Sequence, residues 1–230
     1  MNKNRPVGDI DLKGVSRKYL SGEKYLEVLR DIDLYVKPGQ KLAIVGRSGS
    51  GKSTLLNLLG TLDRPDEGDI THGGENILSR NDAQVAAWRN SHMGFVFQFH
   101  RLLPDFTALE NVMIPGLIAG MNEREIREKS EKLIDSIELS HRAKAKPARL
   151  SGGEQQRIAI ARAMILDPAY ILADEPTGNL DSITATNVFS LLLAQCKRVG
   201  SALILVTHNR DLLKYMDTSM ELAEGKLKPI

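Results

Sequence analysis

Residues 41–54 read KLAIVGRSGSGKST, a stretch that tightly limits what the chain can fold into. A short apolar run, Leu42 to Val45, enters a glycine-rich turn, and the leucine-rich STLLNLLG follows. This order reads as a buried parallel strand, a phosphate-binding loop and a helix ending at Gly60. Gly46, Arg47, Ser48, Gly49, Ser50, Gly51, Lys52 and Ser53 fit G-x-x-x-x-G-K-[ST] in the right structural context. Its glycines let backbone N–H groups close on a phosphate, and the helix behind adds positive potential. Lys52 is placed to reach the β- and γ-phosphates of a nucleotide, Ser53 to ligate Mg²⁺, and Thr54 to meet the α-phosphate.

The rest of the chain supplies a sheet for this loop. DIDLYV (31–36) sets Ile32, Leu34 and Val36 on one face, as a half-buried strand does. MGFVFQ (93–98), YILAD (170–174) and ALILVTH (202–208) read as further buried strands, and GDITHGGENI (68–77) as a strand–turn–strand pair around Gly73-Gly74. Residues 107–120 and 122–139 read as helices; in the second, Ile126, Ser130, Leu133, Ile134 and Ile137 form one stripe with charges opposite. The expectation is one α/β domain over 1–230, with a sheet core at 31–98 and 165–225 and a helical insertion at 99–160. At 230 residues the chain is long enough to bury a real core.

Composition excludes several alternatives. The net charge is only +2, from 31 Lys plus Arg against 29 acids, which leaves no footprint for nucleic acid. The single cysteine, Cys196, cannot form an internal disulfide and fits a reducing compartment. MNKNRPVGDIDLKG has no apolar core and is not expected to be a signal peptide. Nowhere do roughly 18 apolar residues run together, so any work at a membrane needs a partner to supply the span.

Hydrolysis of a bound nucleotide needs a second metal ligand and a group to handle water. YILADEP supplies both: Asp174, at the end of an apolar strand, is a candidate Mg²⁺ ligand, and Glu175 a candidate general base. An acid at a strand end can also serve as a helix cap, but the apolar strand and the phosphate loop favour function here. His208 falls at another strand's carboxyl edge, where ligands of open α/β sheets gather, and is placed to touch the γ-phosphate. His72, His92, His100 and His141 have no such context. LSGGEQQRIAIARAM (150–164) reads as a second helix N-terminus able to hold an anion, about a hundred residues after the first.

These motifs, in this order, resemble those of ATP-binding cassette (ABC) ATPases, and the resemblance covers essentially the whole chain; LSGGEQ is that family's own signature. The resemblance implies a P-loop NTPase fold with a RecA-like core, an N-terminal β-subdomain and a helical insertion, acting on ATP with Mg²⁺. It also accounts for the second anion loop. In such ATPases two subunits pair head to tail, and Ser151, Gly152 and Gly153 of one cover the γ-phosphate held by the other, as a homodimer requires. Tyr19 resembles the aromatic that stacks on adenine, with core packing as the rival role. Gln98 resembles the glutamine that senses Mg²⁺ and joins core to helical insertion, which makes it a catalytic and metal-ligand candidate. Asp181, in GNLDS, resembles the aspartate that faces the partner subunit. Asn209 departs from the family, where an acid more often follows the histidine.

Within the family, FQFHRLLPDFTALENV (97–112) and ADEPTGNLDS (173–182) resemble the bacterial branch of lipoprotein-releasing, macrolide-exporting and cell-division ATPases, the lipoprotein-releasing type above all. As in that type, no accessory domain is expected after His208. That resemblance implies separate integral membrane permease subunits (LolC/LolE-like), no nucleic acid, and a peripheral place on the cytoplasmic face of a bacterial inner membrane. Phe99, Leu102, Leu103 and Phe106 are either core or a dock for a membrane subunit's helix. Besides driving a transporter, two other classes stay open: a soluble ABC ATPase acting on nucleic acid or ribosomes, and a regulatory pair controlling a cell-wall enzyme. HRAKAKPAR (141–149) is the one basic cluster, and paired cassettes or long coiled insertions, which would support the soluble class, are absent from the sequence.

Overall fold

The computed structural model describes residues 8–22 and 24–230, which form two compact units: one up to Arg89 together with Gly200–Ile230, the other Asn90–Val199. In chain order the elements begin β1 (Ile10–Ser21), β2 (Lys24–Val36), β3 (Lys41–Val45), α1 (Lys52–Leu59), β4 (Glu67–His72), α2 (Asp82–His92) and β5 (Met93–Phe97). They continue α3 (Ala108–Ile118), α4 (Glu123–Ser136), α5 (Gly152–Met164), β6 (Tyr170–Asp174), α6 (Ser182–Val199), β7 (Ala202–Thr207), β8 (Thr218–Ala223) and β9 (Lys226–Pro229).

In the first unit β2, β1 and β4 form an antiparallel sheet in that order, with Leu12 opposite both Leu34 and Ile70. Ile32, Leu34 and Val36 are buried on one face of β2, as their alternation requires. β1 escapes pattern reading because its register shifts between Leu12 and Lys18, with Gly14 at a φ of 60° inside the irregular stretch. A bulge of this kind breaks the period of two on which strand recognition depends. The expected hairpin over 68–77 is corrected. β4 forms, and Gly73 and Gly74 take the left-handed turn, but the returning chain pairs only through a bridge from His72 to Glu75. It then enters a single 3-10 turn at Ile77–Ser79, which buries Ile77. β3 lies between β7 and β8 and is parallel to both, so its apolar residues are almost wholly inaccessible. His72 is a structural histidine: it is buried, its Nε2 is 2.9 Å from the Leu59 carbonyl oxygen, and its ring meets Trp88 edge-on.

In the second unit β5 and β6 run parallel, accompanied by α3, α4, α5 and α6. Thr107 caps α3 in a reciprocal capping box with Glu110, and Asn122 caps α4. All five residues of the α4 stripe, Ile126 to Ile137, are buried. In α6, Val188, Phe189, Leu192, Gln195 and Cys196 bury one face at helical spacing. Burial pushes the Cys196 thiol up to about 12, which leaves it unreactive.

The approach of α5 to β5 depends on Gly94. A Cβ there would fall 2.3 Å from the Ala163 carbonyl oxygen, a backbone atom that cannot turn aside. Gly94→Ala is therefore expected to destabilise by about 1–3 kcal/mol through overpacking. Urea unfolding checks this: the midpoint falls at unchanged slope, and an unmoved midpoint contradicts the tight approach.

Candidate functional site

The first unit presents the phosphate loop. Val45 and Thr207 are register partners on parallel strands, so Gly46 and His208 leave neighbouring strands at the same level. Gly51, the residue before α1, sits at a φ of 98°, a conformation that disfavours any side chain. A Cβ at Gly46 would come 2.4 Å from the Leu222 carbonyl oxygen, so the loop's first glycine is also required by close approach. The Lys52 ammonium lies inside the loop, donating to the carbonyl oxygens of Gly46 and Arg47, both at 2.9 Å. The Ser50 hydroxyl is buried and has no hydrogen-bond partner among the described residues. A fixed cation, a helix N-terminus and an unused hydroxyl fit an anionic phosphate chain. Ser53 and His208 are exposed and Thr54 is half-buried.

Tyr19 stands on β1, partly exposed, so it is not a core residue. Its hydroxyl donates to Asp63 at 2.8 Å, and the Arg17 guanidinium lies over its ring, 4.7 Å from the centroid. Arg17 also donates to both Asp63 oxygens. Nothing local in the sequence links Tyr19 to Asp63, because they meet only once the connection between α1 and β4 lies beside β1.

The second unit gathers the residues expected to meet metal and water. Phe97 is the register partner of Asp174, so Gln98 and Glu175 leave neighbouring strands at one level. Asp174 and Glu175 are half-buried, and Glu175 takes a φ of 46°, in the left-handed region where non-glycine residues are strained. The Gln98 Nε2 donates to the Asn179 Oδ1 at 3.1 Å, and the Asn179 amide returns a hydrogen bond to the Gln98 carbonyl oxygen. The loop after Gln98 and the loop after Glu175 are thereby laced together. Asp181 caps α6: its Oδ1 accepts from the N–H groups of Ile183 and Thr184, and its carboxyl is held below the usual range chiefly by hydrogen bonds from Thr184.

The second candidate anion loop is equally built. Ser151 caps α5: its Oγ accepts the Glu154 N–H at 3.2 Å, while its own N–H donates to Glu154 at 2.7 Å. Hydrogen bonding from the Ser151 backbone holds the Glu154 carboxyl below its usual range, and Arg142 donates to its other oxygen. Gly152 and Gly153 thus open a 13-residue helix with their N–H groups at its positive end. Gly152 lies close to Leu180, and a Cβ at Gly153 would fall 2.5 Å from Thr184 Cγ2, so this loop sits against the start of α6. Asn209, the departure from the family pattern, caps the 3-10 turn that follows β7 by accepting the Asp211 N–H, a task an acid does equally well.

The segment after Gln98 is surface. Phe99 is 70% exposed, and Leu103 and Phe106 are both 43% exposed, whereas Leu102 is half-buried. The wholly buried Asn111 holds this segment in shape: its Oδ1 accepts the Leu103 N–H, and its Nδ2 faces the carbonyl oxygens of Leu103, Phe106 and Thr107. Asn111 is invisible to pattern reading, since a polar residue on an apolar helix face signals nothing without its partners.

Comparison with known proteins agrees with this geometry. The sequence profile of the ABC transporter family matches residues 29–178. The chain is 48% identical over 218 residues to the lipoprotein-releasing system ATP-binding protein LolD of Geobacter metallireducens, covering 95% of this chain and 97% of that protein. It is 50% identical to LolD of Legionella pneumophila over 92% of this chain and 93% of that one. It is 46% identical to LolD of Alcanivorax borkumensis over 99% of each. A solved dimeric structure of MJ0796, described as a bacterial ABC transporter cassette, superposes with a TM-score of 0.87 at 38% identity, covering 95% of this chain and 96% of that one. A second structure of MJ0796, in a post-hydrolysis state bound to ADP and Pi, gives 0.87 at 36% identity over 96% and 98%.

The contact between Gly153 and Thr184 generates a test. Gly153→Ala is expected to lower stability by about 1–3 kcal/mol, because the new methyl meets Thr184 Cγ2. Thr184→Ser removes that carbon while keeping the hydroxyl, so the double variant should recover most of the loss in urea unfolding. Simple addition of the two losses would contradict the contact.

Proposed function

As a member of the ABC transporter family this chain is an ATP-binding, ATP-hydrolysing subunit, and on that premise we propose that it powers the release of lipoproteins from a bacterial inner membrane. The observation that carries this reading is 46% to 50% identity, nearly end to end, to ATP-binding proteins of lipoprotein-releasing systems from three bacteria. Two chains pair head to tail, and each ATP lies between the phosphate loop of one and the Ser151–Gly153 loop of its partner. The dimeric structure of a relative at 38% identity supports the pairing of two chains.

Each residue then has a task. Gly46, Arg47, Ser48, Gly49, Ser50 and Gly51 wrap the phosphates, Lys52 neutralises the β- and γ-oxygens, and Thr54 meets the α-phosphate. Tyr19 stacks on adenine with one ring face, while Arg17 covers part of the ring and Asp63 fixes its hydroxyl. Glu175 orients the attacking water and accepts its proton as the new bond to the γ-phosphorus forms and the bond to the β–γ bridging oxygen breaks. His208 steadies the γ-phosphate, and the partner chain's signature loop, with Ser151, Gly152 and Gly153, covers it from the far side. Asp181 faces the partner across the same interface. Ser53, Gln98 and Asp174 offer hydroxyl, amide and carboxylate oxygens, a donor set that suits Mg²⁺. The Gln98 nitrogen is engaged by Asn179, which leaves its oxygen for the metal. When bound, Mg²⁺ supplies charge neutralisation at the transferred phosphoryl group.

No helix among the described residues is long and apolar enough to cross a membrane. Attachment to the cytoplasmic face runs through LolC/LolE-like permease subunits, one helix of which seats on the exposed Phe99, Leu103 and Phe106. Asn111 and the Gln98–Asn179 pair hold that surface against the loop of Glu175, so the nucleotide state is felt where the helix sits.

Phe99→Asp and Phe106→Asp are surface changes, so they should leave ATP binding by the isolated chain intact while detaching it from membranes and blocking lipoprotein release. Cell fractionation together with a lipoprotein-release assay decides it. Variants that stay on the membrane and still support release contradict the dock. Correctly sorted lipoproteins after depletion of the wild-type chain, with drug export or division disturbed instead, contradict the cargo.

A further inference from the structure

Gln156 lies in the first turns of α5, the helix that Ser151 caps, and it is 1% exposed. Its Nε2 donates to two backbone carbonyl oxygens, that of Phe97 at 3.1 Å and that of Pro176 at 2.7 Å. Phe97 immediately precedes Gln98, and Pro176 immediately follows Glu175. The Gln156 Oε1 is buried with no hydrogen-bond partner among the described residues. A reversed amide would set an acceptor against two acceptors, so the orientation is fixed. An apolar side chain would fill this place without burying an unsatisfied oxygen, so packing alone does not account for an amide here.

The two carbonyls explain what the amide does. Glu175 is held in the left-handed region, at a φ of 46°, and such a backbone persists only where its surroundings over-determine it. Two hydrogen bonds bracket that residue: the Gly178 N–H donates to the Glu175 carbonyl oxygen at 3.0 Å, and Gln156 donates to the next carbonyl along. On the neighbouring strand the same nitrogen takes the carbonyl just ahead of Gln98. We propose that Gln156 is a positioning residue for hydrolysis, fixing the backbone behind Glu175 and ahead of Gln98 so that the Glu175 carboxylate meets its water in one direction. The proposal rests on the reading of Glu175 as the water-orienting group. It also ties that group to α5, and so to the signature loop at the helix's first residue.

The test uses the full chain with ATP and Mg²⁺ and measures single-turnover hydrolysis, KM for ATP and thermal unfolding. Gln156→Met keeps the length of the side chain and removes the donors. It should lower kcat by about 10- to 100-fold, as a misplaced catalytic group does, while ATP affinity stays within about twofold. In a Glu175→Gln background, already slow, Gln156→Met should cost nothing further, because the group it positions is gone. Should Gln156→Met fail to fold, Gln156→Asn, which keeps the amide but draws it back by one methylene, carries the same expectations. An unchanged kcat in a variant that still folds, beside a slow Glu175→Gln, overturns the positioning role alone. Equal fractional losses in both backgrounds overturn it in favour of general damage. A Glu175→Gln chain that turns over normally overturns the reading of Glu175 itself, and the proposal with it.

Discussion

Hydrogen bonding between parallel strands sets where the functional loops of this protein begin. In a parallel ladder, residues paired in register reach the end of the strand together, and the loops that follow start side by side. The Val45–Thr207 partnership delivers Gly46 and His208 in this way, and the Phe97–Asp174 partnership delivers Gln98 and Glu175. A slip of one residue in either pair would turn the side chains at these strand ends to the opposite face. The strands are buried and apolar for a structural reason, yet their register has a chemical consequence.

Beyond the strand ends, side-chain amides take over the task of holding the chain. Asn111 fixes the segment of Leu103 and Phe106, Asn179 and Gln98 exchange hydrogen bonds, and Gln156 reaches two carbonyls, one at the end of β5 and one in the turn after β6. An amide carries donors and an acceptor without net charge, so it can satisfy an irregular backbone in the interior at a smaller desolvation cost than a charged group. Glycine does the complementary work, at Gly94 and Gly153, by admitting a neighbour where a methyl would collide.

The sequence made some of this legible and hid the rest for physical reasons. The phosphate loop, the YILAD strand with its acids, and the signature helix are contiguous, and each carries its own period and punctuation. The stripe on α4 was legible for the same reason, as all its members are buried. β1 was hidden because register shifts near Gly14 destroy its alternation. The hairpin expected at Gly73-Gly74 has its turn but no second strand, since Ile77 finds burial in a 3-10 turn. Asp63 beneath Tyr19, Arg142 behind Glu154 and Gln156 behind Glu175 were illegible, because each acts across a contact that exists only after folding.

In the proposed dimer one nucleotide is served by two chains, the phosphate loop of one and the signature loop of the other. An ATP analogue with a thiol-reactive group on its γ-phosphate tests this directly, and Cys196 does not interfere because it is buried and its thiol is held at about 12. One chain carries Ser151→Cys together with Lys52→Ala, so that it offers a thiol but no phosphate loop of its own; a second, tagged chain keeps Lys52 and Ser151. The first chain is expected to be labelled only when the second is present. Failure to label it in the mixture, while a chain with Lys52 and Ser151→Cys labels itself at dilutions where it is monomeric, would contradict a nucleotide site shared between two chains.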